Sequence, residues 1–547
     1  MRKLLAMFIA LAMLCTLVPA FAEEVAPEFA PVVVLHTNDV HGHALFETGS
    51  WGYDSLAAVK DDLIANVYEV ILLDAGDYSQ GTPLVNLEQG KNGILFMNAV
   101  GYDAATVGNH EFDWGSDNLL INLEQAKFPV LCANMLRKED NTPVLAPNTI
   151  IEKGGRKIGV FGLATPETMT KAHPDKVRGV TFLAGEELAA CAQAQVDELK
   201  AAGCDFIICI GHLGNEQESE GNRSADVIAN VEGINLFIDG HSHDEYMDDV
   251  AAKGEEGAVT RLVQTGGNLA NIGVSVINPD GTITSSMFAA PQKGEIVEML
   301  YAPTNAEIKE IVANADAVVN EELGKPFAKT EVMLNGERAP GVRTEETNLG
   351  DFCCDAILYA AKKAYGDNVV AALSNGGGIR ASIQAGNITM LDMKTVFPFG
   401  NCVAVLEVTG AELLEALEAA TWSTPDAIGA FPQVAGIVYT IDTSVAYEQG
   451  EQYPDSTYFA PAKPGSRVTI ETVGGEPFAL DAKYMIATND FTAAGGDTYY
   501  AFKYAYATSG YNTQVALEDA LVDYVQNELG GVVGEQYAAP QGRITVK

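Results

Sequence analysis

The sequence predicts an α/β (α+β) protein of two domains, and three observations carry that prediction. Short apolar runs alternate with amphipathic stretches from residue 32 to about 290, the rhythm of buried strands and covering helices in a layered sandwich. A helical stretch at 303–326, ending in Gly324 and Pro326, then interrupts the rhythm and it restarts. At 547 residues the chain also exceeds what one hydrophobic core organises.

In chain order, residues 1–22 come first. Arg2 and Lys3, an apolar run from Leu4 to Val18, and small residues at Ala20 and Ala22 form a secretory signal peptide pattern. The run is shorter than the ~20 apolar residues that span a bilayer, so we expect cleavage after Ala22, export to a periplasmic or extracellular space, and no stable membrane anchor. The first folded domain is expected over 31–300, with buried strands in "VVVLH", "VILLD", "IGVFGL", "DFIICIG" and "INLFIDG". The helix at 303–326 is read as the linker. The second domain, 327–547, opens with helix 347–366, continues into the strand and Gly-rich turn of "NVVAALSNGGGIR", and has a further helix at 410–422.

The chain carries 33 Lys+Arg against 74 Asp+Glu, a formal charge of −41. Such a surface repels nucleic acid and anionic membrane. An anionic small molecule would have to be held by local cations, either metals or a few placed arginines. Of 8 cysteines, Cys15 lies in the leader, and the remaining seven show neither a disulfide framework nor a zinc pattern.

The chemistry-bearing residues follow the strands. "VVVLHTNDVHGH" delivers Asp39 and His41, "VILLDAGD" Asp77, "VGNHEFD" Asn109 and His110, "IICIGH" His212, and "LFIDGHSH" His241 and His243. In an open sheet, sites assemble beyond the strand C-termini. Imidazole, carboxylate and amide oxygen together suit divalent zinc or manganese. The donors outnumber what one ion uses, and two ions sharing a carboxylate can activate a water and bind a phosphoryl oxygen. Asp77, on its tight Gly76–Asp77 turn, is the natural bridge; Glu111 and Trp114 read as structural.

The order Asp-x-His, Gly-Asp, Gly-Asn-His-Glu, Gly-His, Gly-His-x-His resembles the calcineurin-like metallophosphoesterases. That resemblance implies a four-layer αββα sandwich with two divalent ions, one held by Asp39, His41, Asp77 and His243, the other by Asp77, Asn109, His212 and His241. It makes His110 and Asp113 a catalytic pair that binds no metal. Stabilising phosphoryl charge or protonating the leaving alkoxide is the expected work of His110, with Asp113 orienting the ring.

"VRTEETNLGD", "SNGGGIRASIQAGNITMLDMKTVFPFGN" and "NDFTAAGGDTY" resemble the C-terminal domain of the secreted 5′-nucleotidase family. The resemblance implies phosphate contacts from Arg343, Asn375 and Arg380, a nucleobase clamp of Phe399 and Phe491, and polar contacts from Asn401 and Asp497. The expected function is a secreted dimetal hydrolase of nucleotides, most simply a 5′-nucleotidase. On the same architecture the rivals are a nucleotide-sugar or dinucleotide pyrophosphatase and a 2′,3′-cyclic nucleotide phosphodiesterase. From a different class, the rival is a nucleotide-binding surface protein without catalysis. The sequence leaves the oligomeric state open.

Overall fold

The computed structural model describes residues 29–47, 49–216, 219–291, 304–454 and 456–547. The expected leader, and the junction at 292–303, lie outside them. Chain contacts divide the protein into two units. One takes residues up to Thr168 together with Lys176–Asp316, the other Met169–Asp175 together with Ala317–Lys547. The division falls inside the helix Ala306–Leu323, which stops before Gly324; Pro326 opens the strand Pro326–Thr330.

Two six-stranded sheets build the first unit. In one the order is Ile283–Ala289, Asn271–Ile277, Val32–Thr37, Glu69–Asp74, Ala104–Thr106 and Val130–Leu131, the last four being parallel. In the other it is Glu245–Ala251, Val259–Thr265, Leu236–Ile238, Phe206–His212, Arg156–Ala164 and Asn148–Lys153, with the middle four parallel. Parallel strands buried on both faces read as continuous apolar runs, which is why "VVVLH" and "FIICIG" are so uniformly hydrophobic.

Alternate residues share a face. Val32, Val34, Ile71 and Leu73 of the first sheet join Val160, Ile208, Ile210 and Ile238 of the second in one core between the sheets. Behind the second sheet, Phe161, Ile207 and Cys209 pack on Leu188, Val196 and Leu199 of helix Gly185–Ala201. Helix Gly52–Ala65 packs against strand Glu69–Asp74 of the first sheet and on helix Lys91–Val100. The layers are therefore αββα.

In the second unit a five-stranded sheet runs in the order Pro432–Ala435, Val369–Asn375, Lys483–Asn489, Cys402–Thr409, Tyr511–Ala516, and only its second and third strands are parallel. Helix Asn348–Tyr365, capped by the Thr347 hydroxyl accepting from Gly350 N–H, packs Phe352 and Ile357 with Val403, Val405 and Ala487. Helices Gly410–Ala419 and Tyr500–Ser509 bring Leu413, Leu417 and Phe502 to Leu373, Ala404 and Ile486. Segment Met169–Asp175 belongs here: Thr170 C=O accepts from Asp497 N–H at 3.0 Å, and Lys171 Nζ lies 4.0 Å from Asp497 Oδ1. Among the described residues all seven cysteines are free thiols, and no helix is long and apolar enough to cross a membrane.

His36, on the strand that leads to Asp39, is 1% exposed, and neither of its ring nitrogens has a hydrogen-bond partner among the described residues. Gly273 lies directly opposite it on the neighbouring strand, where a Cβ would meet the ring at 2.1 Å. Burial lowers the His36 pKa from 6.5 to about 3, so the folded state holds it neutral while the unfolded chain protonates near 6.5. Its contribution to stability is complete above pH 6.5 and is lost progressively as pH falls toward 3. His36→Leu should therefore flatten the stability profile between pH 4 and 6.5. Urea unfolding at pH 5 and pH 7 checks this, and an unchanged slope in the variant would contradict it.

Candidate metal centre and active site

The site forms where the parallel strands of the first unit end. Asp39 and His41 follow the strand ending at Thr37, Asp77 the one ending at Asp74, Asn109 and His110 the one ending at Thr106; His212 closes its own strand, and His241 and His243 follow Ile238. Five of these residues have left-handed backbones: Asp39 (φ 50°), His41 (47°), Asp77 (60°), His241 (80°) and His243 (59°). For a side chain with a Cβ this conformation costs on the order of 1 kcal/mol or more. Its recurrence at successive strand ends marks a place where side chains are aimed for a purpose other than packing.

The donors converge. Asp77 Oδ2 lies 3.1 Å from His212 Nε2 and 3.7 Å from His41 Nε2. His243 Nε2 is 3.3 Å from Asp39 Oδ1 and 3.1 Å from His41 Nε2. Two clusters result, Asp39 with His41 and His243, and Asp39 with Asp77 and His212. Asn109 Oδ1 and His241 Nδ1, 2.8 Å apart, form a separate pair. Asp77 stands between histidines of both clusters, while Asp39 is the residue the two clusters share.

Ring orientation follows from the backbone. A carbonyl oxygen can only accept, so His212 Nδ1 donates to Ala75 C=O at 2.7 Å and His41 Nδ1 to Gln80 C=O at 3.0 Å. Each ring thereby turns the lone pair of Nε2 into the cluster. His212 Nε2 is buried, with the Asp77 carboxylate 3.1 Å away as its nearest charged neighbour among the described residues. Electrostatics agree: burial alone would lower the His212 pKa, but the Asp77 and Asp39 carboxylates outweigh it and raise it to about 10. Burial would likewise raise Asp39, and the charges of His243 and His212 hold it well below its ordinary range. A pocket that draws a proton onto a buried imidazole is one that calls for cations, and its N/O donor set fits zinc or manganese.

Glu111 supports the arrangement from below. Its Oε1 accepts from Tyr78 N–H (2.9 Å), Ser79 N–H (3.0 Å) and the Ser79 hydroxyl (2.9 Å), and its Oε2 from Asp77 N–H (2.8 Å) and Gly108 N–H (2.6 Å). Gly108 has no room for a side chain, since a Cβ would meet Asp77 Oδ1 at 2.2 Å. Asn38 secures the neighbouring turn: its Nδ2 donates to Asp39 Oδ2 (2.7 Å) and Gly266 C=O (2.6 Å), and its Oδ1 accepts from Thr265 N–H (2.9 Å). His110 Nδ1 lies 2.8 Å from Asp113 Oδ2, so the carboxylate fixes the ring, which stands beside the His41 ring at 5.3 Å.

The second unit gathers part of its predicted set. The parallel strands Val369–Asn375 and Lys483–Asn489 end side by side, and Asn375 Nδ2 donates to Asp497 Oδ2 at 2.9 Å while its Oδ1 accepts from Asn489 Nδ2 at 3.0 Å. Arg380 lies over the Phe399 ring at 5.6 Å. Asn401 Nδ2 donates to Asp490 Oδ1 at 2.9 Å. Phe491 is 9% exposed, its ring against Gly496. The Arg343 carbonyl accepts from Ile428 N–H. Sequence reasoning missed Glu167, fully buried and 3.1 Å from His241 Nε2. It follows the strand Arg156–Ala164, so the strand-end rule that singled out the other residues applied to it as well.

Residues 32–245 match the profile of the calcineurin-like phosphoesterases, and residues 326–504 that of the 5′-nucleotidase C-terminal domain. The 5′-nucleotidase of Diplobatis ommata is 30% identical over 511 residues, 86% of this chain and 83% of that protein. The chain belongs to the 5′-nucleotidase family. The family assignment extends to three dimensions, because the crystal structure of a 5′-nucleotidase precursor from Thermus thermophilus superposes with a TM-score of 0.78 at 30% identity, over 94% of this chain and 99% of that one. The trifunctional nucleotide phosphoesterase YfkN of Bacillus subtilis is 32% identical over 514 residues, 86% of this chain, but the chain spans only 32% of that protein's length.

Glu111→Gln keeps the shape but replaces one carboxylate oxygen with an NH2 that faces at least two donors. Each donor left unsatisfied in a buried site costs about 1–3 kcal/mol. The variant should melt earlier when metal-free and should retain fewer than two equivalents of metal after dialysis. A wild-type melt and two retained ions would refute this support role.

Proposed function

We propose that the protein is an exported, metal-dependent phosphoester hydrolase whose substrate is a nucleoside 5′-monophosphate, released as nucleoside and orthophosphate. The observation that carries this reading is the union, in one family-assigned chain, of a convergent N/O cluster at the strand ends with a C-terminal 5′-nucleotidase unit. Export rests on the sequence pattern of residues 1–22. Asp39, His41, Asp77 and His243 would hold one ion, and Asp77, Asn109, His212 and His241 the other. When bound, two such ions supply Lewis acidity to a phosphoryl oxygen and lower the pKa of a water.

The chain's own residues do the rest. His110, whose Nδ1 lies 2.8 Å from Asp113 Oδ2, would protonate the leaving ribose oxygen or offset charge on the phosphoryl group. Asn375 and Arg380, with Arg343, are proposed phosphate contacts, Phe399 and Phe491 the base contacts, and Asn401 and Asp497 polar contacts to base and ribose. A guanidinium above the Phe399 ring suits that assignment, because it keeps a cation beside an aromatic face in a strongly acidic chain. A panel of AMP, nucleotide sugars, dinucleotides and 2′,3′-cyclic nucleotides, assayed metal-free and with added manganese or zinc, tests the reading. Metal-dependent phosphate release from AMP is expected to dominate, and failure to release it under any metal would overturn the proposal.

His110→Ala should keep its metal content and lower kcat for AMP by roughly 10²–10⁴-fold, the usual contribution of one acid–base group. Elemental analysis alongside turnover checks this, and undiminished turnover would remove His110 from the mechanism.

Base stacking contributes ~1–3 kcal/mol per base and is largely indifferent to base identity. Phe491→Ala should therefore lower kcat/KM for several nucleoside monophosphates together, by roughly 10- to 100-fold. Ribose 5-phosphate, which has no base, should change much less. Equal losses for both would make Phe491 a packing residue only.

A further inference from the structure

The imidazole of His241 lies between two oxygens. Nδ1 is 2.8 Å from Asn109 Oδ1 and Nε2 is 3.1 Å from Glu167 Oε2. Both oxygens are acceptors, and a neutral imidazole has a single N–H to give. The carboxylate, fully buried, is the stronger acceptor of the two. The turn that carries it is closed by two bonds: the Thr165 hydroxyl accepts from Glu167 N–H at 3.2 Å, and the Thr168 hydroxyl donates to Thr165 C=O at 2.7 Å, directly after strand Arg156–Ala164.

With the proton on Nε2, the Nδ1 lone pair faces Asn109 Oδ1. Two lone pairs at 2.8 Å repel unless a cation lies against both. We propose that Glu167 is a positioning residue of the metal centre, holding His241 in the Nε2–H tautomer so that Nδ1 and Asn109 Oδ1 together form a ligand pair for one divalent ion. A carboxylate behind a ligating histidine fixes the tautomer and raises the basicity of the ligating nitrogen. The inference rests on the dimetal reading and is independent of the nucleotide substrate.

The test is metal binding by the full chain, measured without substrate. Manganese or zinc is titrated against a chromogenic chelator, for wild type, Glu167→Leu and Glu167→Gln. Leu fills the buried volume without an acceptor and should weaken one of the two ions by about 10- to 100-fold, leaving the other unchanged. Gln, whose amide oxygen still accepts from Nε2–H, should retain most of the affinity. In a His241→Ala background, Glu167→Leu should have no further effect, since its route to the metal is gone. Wild-type affinity for both ions in Glu167→Leu would overturn the proposal, as would an equal loss with and without His241. If these results hold while AMP is not hydrolysed, the substrate reading fails and this one stands.

Discussion

One buried carboxylate holds the active-site loops in register. Glu111 accepts from five donors, four of them on segments 77–79 and 108 of the backbone, which lie more than 25 residues apart in sequence. A bare carboxylate at such depth, close to Asp77, is unfavourable; burial and the Asp77 charge push its pKa up, and the backbone donors oppose them. Removing any of those N–H groups from alignment would leave both donor and acceptor unsatisfied, so the two loops settle together. The left-handed backbones of Asp77 and its neighbours can persist because this network over-determines them.

The same logic recurs around the rim. Asp74 accepts from the Thr37 hydroxyl and Gly76 N–H, and Asp239 accepts from Leu213 N–H, Gly214 N–H and the Tyr246 hydroxyl. Every loop that delivers a candidate ligand is thus tied to the loop of an adjacent strand by a buried acidic side chain or, at Asn38, an amide. Residues that would hold metal are one layer, and those that hold the loops are a second layer beneath it. The fold gives both layers the same origin, the C-terminal edges of parallel strands.

That common origin explains what the sequence made legible. Strands buried on both faces have to be apolar throughout, so polar residues directly after them stand out, and Asp39, Asp77, His212 and His241 were visible for that reason. Glu167 was not. It follows a strand in the same way, but "TPET" resembles any polar turn, and its partner His241 is 74 residues away. Glu111 was legible as structural, although the loops it joins were not. Helix ends were less distinct: 410–422 closes at Ala419, where Thr421 N–H turns to Glu418 C=O, three residues back, in place of the i−4 ladder. In the second unit, Asn375 and Asp497 are far apart in sequence and meet where two parallel strands end side by side, which no local pattern announces.

The seven residues Met169–Asp175 bear on how such a protein can be taken apart. They sit within the sequence of the first unit and pack with the second, through Thr170 and Lys171 at Asp497. The polypeptide therefore passes between units three times rather than once. A recombination event or a cloning boundary placed in helix Ala306–Leu323 would sever one passage and strand this segment on the wrong fragment, depriving Asp497 of its backbone partner. Neither unit is one contiguous stretch of sequence, and an exchange of the second unit would have to carry the short insert along with the long C-terminal half.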